Sequence, residues 1–276
     1  MYTLNCKGRL LVIEKPVVMG ILNLTPDSFY SGSRVQEIEQ VLQRAGQMID
    51  EGATILDIGG QSTRPGSNRI SAEEELQRVL PAIKAIKEKY PSAFLSIDTY
   101  HSTVAKEAVA AGADMVNDIS AGEMDKQMLS TVAAINVPYV AMHMKGTPET
   151  MQQNATYEDV TKEVVDYFIQ KIEACKNAGI KDIIIDPGFG FGKTIEHNFQ
   201  LLKKLEVLKI FNVPVLAGLS RKSTIYKTLQ LSAEESLNGT TVLNTIAITK
   251  GAAVLRVHDV KEAMQVIQLY EAYIQA

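Results

Sequence analysis

The chain has 276 residues, 46% hydrophobic and 22% charged, with a formal net charge of -4. That balance is typical of a globular protein in water and argues against a general nucleic-acid-binding surface. No apolar run approaches the ~20 residues that a membrane helix needs. The two cysteines, Cys6 and Cys175, lie far apart and outside any C-x-x-C pair. They read as free buried thiols of a reducing compartment. The first residues, Met1-Tyr-Thr-Leu-Asn-Cys, lack the basic and apolar regions of a signal peptide, so the expected compartment is cytoplasmic.

In chain order, residues 1–15 predict a β-hairpin: Tyr2, Leu4 and Cys6 alternate, Lys7-Gly8 turns, and Leu10 to Ile13 returns. Such a hairpin suits the bottom of a barrel. From Val17 one unit recurs: a short apolar run, a polar residue at its end, a glycine-rich loop, then an amphipathic helix. The runs are Val17 to Asn23, Thr54 to Asp57, Phe94 to Asp98, Met115 to Asn117, Val137 to His143, Ile183 to Asp186, Val213 to Ser220 and Ala253 to His258. Near-continuous Val, Ile and Leu mark parallel strands buried on both faces. Between them helical faces recur, as in Val35, Ile38, Val41, Leu42, Ala45, Met48 and Ile49. Ser71-Ala-Glu-Glu74 and Ser232-Ala-Glu-Glu235 fit helix-opening capping boxes. Gly52, Gly112, Gly179 and Gly251 sit where helices should end in a left-handed cap. Eight such units, with no linker or break in composition, predict one α/β domain over residues 1–276. The expected fold is a (β/α)8 TIM barrel with a short N-terminal β-hairpin; a doubly wound open sheet is the alternative.

The chemistry of a barrel sits at the carboxyl ends of its strands and in the loops that follow. Those ends here read Asn23, Asp57, Asp98, Asn117, His143, Asp186, Lys222 and Arg256 with His258. So many polar groups converging on one mouth must be hydrogen-bonded or hydrated, and a polar ligand explains them economically. Arg64, Lys222, Arg256 and His258 suit a phosphate or pyrophosphate. Asp98, Asn117 and Asp186 suit the donor-rich edge of a pterin or guanine, and Phe191 a ring face. A zinc site is not expected from four histidines and no His/Cys cluster. A weakly held Mg²⁺ that borrows the substrate's phosphates fits better.

Asp186-Pro-Gly-Phe-Gly-Phe-Gly-Lys193 invites a phosphate-loop reading, but the glycine needed five positions before Gly192 is Pro187. What remains is a strand ending in a carboxylate, with glycines that leave room for ligands to approach. Lys193 is expected in solvent, Asp57 as a brace for the loop after its strand, and His101 and His197 at the surface or at helix starts. His143 reads equally well as a wall histidine or a site residue.

Seven segments together resemble the dihydropteroate synthase family, in family order and over essentially the whole chain from Val17. They are Asn23-Leu-Thr-Pro-Asp-Ser-Phe29, Gly59-Gly-Gln-Ser-Thr-Arg-Pro-Gly66, Ser96-Ile-Asp-Thr99, Asn117-Asp118, the stretch from Asp186 to Lys193, Ser220-Arg-Lys-Ser223 and Arg256-Val-His-Asp259. The resemblance implies a folate-pathway transferase that joins p-aminobenzoate to 6-hydroxymethyl-7,8-dihydropterin diphosphate and releases pyrophosphate. It implies that Asp98, Asn117, Met142, Asp186, Phe191 and Lys222 hold the pterin. Asn23, Thr63, Arg256 and His258 would hold the diphosphate, with Asn23 also a ligand of Mg²⁺. Thr63, Arg64, Pro65, Phe191 and Ser223 would form the p-aminobenzoate side. The groups expected to act in catalysis are Asn23, Thr63, Arg64, Asp98, Lys222, Arg256 and His258.

The implied reaction is SN1-like and needs positioned cations more than acid–base catalysis. The resemblance also implies sulfonamide recognition, small molecules as the partners, and a homodimer formed by late helices such as the one carrying Val242 to Ile248. Asp27 and Phe29 in the first loop, together with the second loop, would close as a lid. The chain departs from the family pattern at Gln61, commonly glutamate, at Phe29-Tyr-Ser-Gly32, where an acid often precedes the glycine, and at Leu219, often small and polar. Two alternatives are a non-catalytic pterin-binding paralogue and a methyltetrahydrofolate-binding partner of a corrinoid protein. The second has no use for the diphosphate groups.

Overall fold

The computed structural model describes residues 1–24, 34–61, 69–147, 151 and 155–276. Strands β1 (Tyr2–Cys6) and β2 (Arg9–Ile13) pair antiparallel around Lys7-Gly8, both at positive φ, as a tight hairpin turn requires. Then come β3 (Val17–Asn23), α1 (Arg34–Asp50), β4 (Ile55–Gly59), α2 (Ala72–Lys89), β5 (Phe94–Asp98), α3 (Ser102–Ala111), β6 (Met115–Asp118), α4 (Met128–Ile135), β7 (Tyr139–Met142), α5 (Val160–Ala178) and β8 (Ile183–Asp186). The last third holds α6 (Ile195–Lys203), β9 (Leu216–Ala217), α7 (Ser223–Leu229), α8 (Leu237–Thr249), β10 (Val254–Val257) and α9 (Val260–Gln275).

Strands β3 to β10 form one parallel sheet in the order β8-β7-β6-β5-β4-β3-β10-β9. An Ile185–Val215 bridge, with Ile185 N–H donating to the Pro214 carbonyl at 3.0 Å, brings β8 back to β9. The sheet is therefore a barrel, and the open doubly wound alternative is excluded. Each of the eight apolar runs carries a strand, several of them shorter than the run. The run from Val213 to Ser220 keeps only Leu216–Ala217, because Pro214 has no N–H to give a ladder and the chain turns away after Gly218.

The hairpin plugs the amino-terminal end. Leu4, Cys6, Leu11 and Ile13 pack on the inward residues Met19, Ile55, Met115, Val140, Ile184, Leu216 and Val254. Polar ties fix it there. Asn5 N–H donates to Asp182 at 3.0 Å, and Arg9 donates to Asp114 at 2.9 Å and to the carbonyls of Ser92 and Ala93. The outer core between sheet and helices is almost wholly aliphatic, and burial of this kind is worth about 25 cal/mol per Å² of apolar surface.

The expected helix ends are present: Gly52, Gly112, Gly179 and Gly251 have φ of 103°, 128°, 99° and 100°. Ser232 and Glu235 make the reciprocal capping box at 3.3 and 3.0 Å. At α2 only half of the box forms. Ser71 accepts from Glu74 N–H, while the Glu74 carboxylate turns to Arg78. Among the described residues, no helix is long and apolar enough to cross a membrane.

Candidate active site

Parallel strands buried on both faces leave the barrel's interior side chains two fates, apolar packing below and polar convergence at the carboxyl ends. Asn23, Asp98, Asp118, Met142 and Asp186 are the last residues of β3, β5, β6, β7 and β8, and Asn117 is the last but one of β6. Inside this ring lies Asp57, fully buried at the middle of β4 opposite Ile21 and Ser96. Its Oδ2 accepts from Asn117 Nδ2 at 2.9 Å and from Arg256 Nε at 2.6 Å, while Arg256 Nη2 reaches Asp98 Oδ2 at 2.6 Å. Asp57 thus braces two site residues from inside the barrel. The expectation that it braces the loop after β4 is corrected, because the sheet register turns its side chain inward.

These pairs set the electrostatics. Burial pushes the Asp98 carboxyl up to about 7 against the opposing pull of Arg256. Burial works against the Arg256 charge, but Asp57 and Asp98 hold its pKa above the ordinary arginine range. Burial also raises Asp186, which Lys222 opposes most strongly. Lys222 is lowered to about 8 by burial despite Asp186.

Lys222 is not at a strand end, as the run to Ser220 suggests. It is the N-cap residue of α7, five positions beyond β9, with Ser223 opening the helix beside it. Its ammonium donates to the Phe189 carbonyl and lies 4.8 Å from the centroid of the Phe191 ring. Arg221, between the two inward residues Ser220 and Lys222, points away. It adopts φ 53° and makes a two-pronged pair with Asp259 at 2.9 and 2.8 Å. That anchored left-handed turn aims Ser220 at His258, whose Nδ1 lies 3.0 Å from Ser220 Oγ.

Between these groups Gly218 leaves a gap. A Cβ there would sit 3.6 Å from Lys222 Nζ, 3.9 Å from Asp186 Oδ2 and 4.0 Å from Arg256 Cβ. One carboxylate, one ammonium and the stem of Arg256 therefore border a slot, the space that a side chain on Gly218 would fill. Met142, buried, packs with Tyr100, Ile119 and Met144 beside Phe191, giving the slot an apolar wall. Asn23 lies across the mouth: a Cβ on Gly59 would be 3.6 Å from its Oδ1 and 3.7 Å from Asp98 Oδ2. Thr63, Arg64 and Pro65, and Asp27 and Phe29 of the first loop, lie outside the described residues.

The family model of pterin binding enzymes matches residues 19–258. The dihydropteroate synthase of Escherichia coli K12 is 42% identical over 275 residues, 99% of this chain and 97% of its own.

The chain belongs to the dihydropteroate synthase family.

Two solved members agree in three dimensions. The Yersinia pestis dihydropteroate synthase with a sulfonamide drug superposes with TM-score 0.93 at 40% identity, covering all of both chains. The Xanthomonas albilineans dihydropteroate synthase in complex with 7,8-dihydropteroate gives 0.89 at 39% identity over 100% of this chain and 99% of that one. The family resemblance seen in the seven segments is thereby established, as are the barrel and the transferase class.

The other sequence expectations fare unevenly. His197 is a helix-start residue, accepting from Thr194 N–H at 3.3 Å, and His101 stands at the N-cap position of α3. Gln61, in place of the family's usual glutamate, is buried and accepts from Ile70 N–H at 2.9 Å. Leu219 joins the outer core.

Lys193 is the clear reversal. It is 3% exposed, with Nζ 2.9 Å from His143 Nδ1 and donating to the carbonyls of Gly188 at 3.0 Å and Phe191 at 3.1 Å. Burial lowers it to about 7 and takes its partner His143 down to about 2, so the imidazole is neutral. His143 is a wall residue, edge-on to Tyr167 at 4.8 Å. The glycines of this loop do not clear space for ligands. Gly188 has φ 70°, and a Cβ there would stand 1.9 Å from the His143 carbonyl, so the loop is pressed on the neighbouring backbone.

Glu75 of α2 escaped notice in the sequence. It is 1% exposed and accepts from Thr99 Oγ1 at 3.0 Å, with Thr99 next to Asp98 in the chain. Burial raises its carboxyl from 4.5 to about 8. The folded state then keeps a proton that the unfolded chain releases between these values. Glu75's contribution to stability is complete below about pH 4.5 and falls as pH rises towards 8, by at most ~1.4 kcal/mol per unit. Glu75→Gln should therefore gain on the wild type as pH rises from 5 to 7 in urea unfolding. Identical pH slopes for the two proteins would exclude a protonated Glu75.

Proposed function

We propose that this chain condenses 6-hydroxymethyl-7,8-dihydropterin diphosphate with p-aminobenzoate to form 7,8-dihydropteroate and pyrophosphate. The observation that carries the reading is the slot at Gly218, with Asp186 and Lys222 on its walls, in a chain that matches dihydropteroate synthases over its full length. A carboxylate in such a slot suits the adjacent 2-amino and ring N–H donors of a pterin, and Asp98 and Asn117 add further polar partners. Lys222 suits the pterin's acceptors, while Met142 and Phe191 flank the ring.

The diphosphate belongs beside the slot, on the side of β10 and β3, with Asn23, His258 and, once ligand competes with its two carboxylates, Arg256. Thr63, Arg64, Pro65 and Ser223 are assigned to the p-aminobenzoate side with Phe191. Among the described residues no cluster of three His, Cys, Asp or Glu could cage a metal ion. The Asn23 amide oxygen at the mouth nevertheless fits a magnesium ion that takes most of its ligands from the substrate and water. Bound there, the ion would offset charge on the departing diphosphate.

In the reaction the C–O bond to the diphosphate breaks and its electron pair leaves with pyrophosphate. The electron-rich dihydropterin carries positive charge on the methylene carbon until the arylamine lone pair forms the new C–N bond. The amine proton then passes to water. Lys222, Asp186 and the Met142–Phe191 wall orient the ring throughout, and Arg256 and His258 stabilise the charge that develops on the leaving group.

The buried cysteines, as free thiols, support a cytoplasmic location. Val242 and Ile246, 50% and 38% exposed on α8, support a homodimer through that face. Sulfonamides, as mimics of p-aminobenzoate, would compete for its side of the site.

The diphosphate assignment separates this reading from a methyltetrahydrofolate-binding role. By calorimetry the pterin diphosphate should bind at least about ten-fold more tightly than the corresponding pterin alcohol, the scale of one charge-assisted contact. His258→Ala should narrow that gap. Equal affinities for the two ligands would remove the diphosphate from the account.

A further inference from the structure

The loop that carries Phe191 is held by a buried lysine that the proposed reaction does not use. Lys193 bonds no carboxylate among the described residues; its three donors meet Gly188 O, Phe191 O and His143 Nδ1 at 3.0, 3.1 and 2.9 Å. Burying an ammonium is costly, and a methionine would fill the same channel without that cost. The cation at this point therefore serves the two carbonyls and the imidazole that it joins.

The rest of the loop is pinned as well. Asn198 Oδ1 accepts from Gly190 N–H at 2.8 Å, and Tyr157 donates to the Gly192 carbonyl at 2.8 Å. Phe191 N–H donates to Gly188 O at 3.1 Å, and Lys193 adds a bond to the Phe191 carbonyl that ties the loop after β8 to His143, just past the end of β7. The ring that results is half-buried, packed beside Met142 and 4.8 Å from Lys222 Nζ.

We infer that Lys193 is a positioning residue that fixes the Phe191 ring at the boundary between the two subsites and so sets the affinity for the arylamine substrate. This rests on the proposed function, since only that reading places p-aminobenzoate against Phe191. Asp186 keeps Lys222 and Arg256 as its cations when Lys193 is replaced, and Met142 still flanks the pterin, so the pterin side should change less than the arylamine side.

The test is steady-state kinetics of the intact Lys193→Met protein. KM for p-aminobenzoate should rise about ten-fold with kcat within about two-fold, a loss of binding in both ground and transition states. Affinity for the pterin diphosphate by calorimetry should stay within about three-fold, below one hydrogen bond's worth. In a Phe191→Ala background the Lys193→Met change should add nothing to KM, the mark of one residue acting through the other. Lys193→Gln, which keeps one donor for a carbonyl, carries the same comparison if the methionine variant shows no thermal transition.

An unchanged KM for p-aminobenzoate, or an effect that adds in full to that of Phe191→Ala, overturns the inference. A wild-type protein without turnover would instead overturn the proposed function, so the two failures are distinguishable.

Discussion

Arg256→Met is expected to lose about 3–5 kcal/mol of stability and all turnover, because it strips the shared cation from two buried carboxylates. Asp57 is fully buried and Asp98 nearly so, and the guanidinium reaches both at 2.6 Å. Asp118 and Asp186 add their repulsion to Asp98. Without the arginine the folded chain can relieve the uncompensated charge by taking up a proton at Asp98, whose carboxyl burial already pushes up to about 7.

The deficit should therefore depend on pH. Protonated carboxyls need no cation, so the variant should lie closer to the wild type at pH 5 than at pH 8. Thermal melts across that range would read the difference directly. A variant that melts with the wild type at pH 8 would show that the ion pairs do not hold the mouth together.

Asp186→Asn should act in the opposite sense, sparing the fold and damaging recognition. One carboxylate oxygen accepts from Gly188 N–H at 2.7 Å, and an amide oxygen can keep that bond. The other faces the Gly218 slot, 3.9 Å from where a Cβ on that glycine would lie, and in asparagine an NH₂ group takes its place. The pterin donor that this oxygen accepts from would then meet a donor. The expected loss is about 2–4 kcal/mol of binding, roughly 30- to 1,000-fold in Kd. Because burial already disfavours the Asp186 charge, the melting temperature should hold or rise. Calorimetry with the pterin diphosphate decides it, and unaltered affinity would remove the pterin from this corner of the barrel.

Much of this architecture is legible in the chain because parallel strands write themselves as apolar runs with polar ends. Asn23, Asp98, Asn117 and Asp186 could be placed from that pattern alone, as could the hairpin plug and the glycine caps. What the pattern hides is the direction of a side chain within a closed barrel. Asp57, followed by Ile58 and two glycines, looks like a strand-end residue that braces the loop. Only the register against Ile21 and Ser96 shows that it underlies Asn117 and Arg256.

Long-range partners are hidden for the same reason. Lys193 in Gly-Lys-Thr looks solvated, but its imidazole partner is fifty positions away. Glu75 is one of three consecutive glutamates in the first turn of α2, and only its depth against Thr99 distinguishes it. Arg221 stands next to Lys222 in the Ser220-Arg-Lys-Ser223 segment, and only its pair with Asp259 shows that it turns outward so that Lys222 can face in.

The account's central claim is that this mouth joins two small molecules across a departing diphosphate. It is tested most directly by incubating the purified protein with Mg²⁺, 6-hydroxymethyl-7,8-dihydropterin diphosphate and p-aminobenzoate, and quantifying products by chromatography. The expected result is 7,8-dihydropteroate and pyrophosphate in equal amounts, with no dihydropteroate when either substrate or the metal ion is withheld. Tight binding of the pterin diphosphate without any dihydropteroate formed would contradict the claim and make the protein a pterin-binding relative that does not turn over.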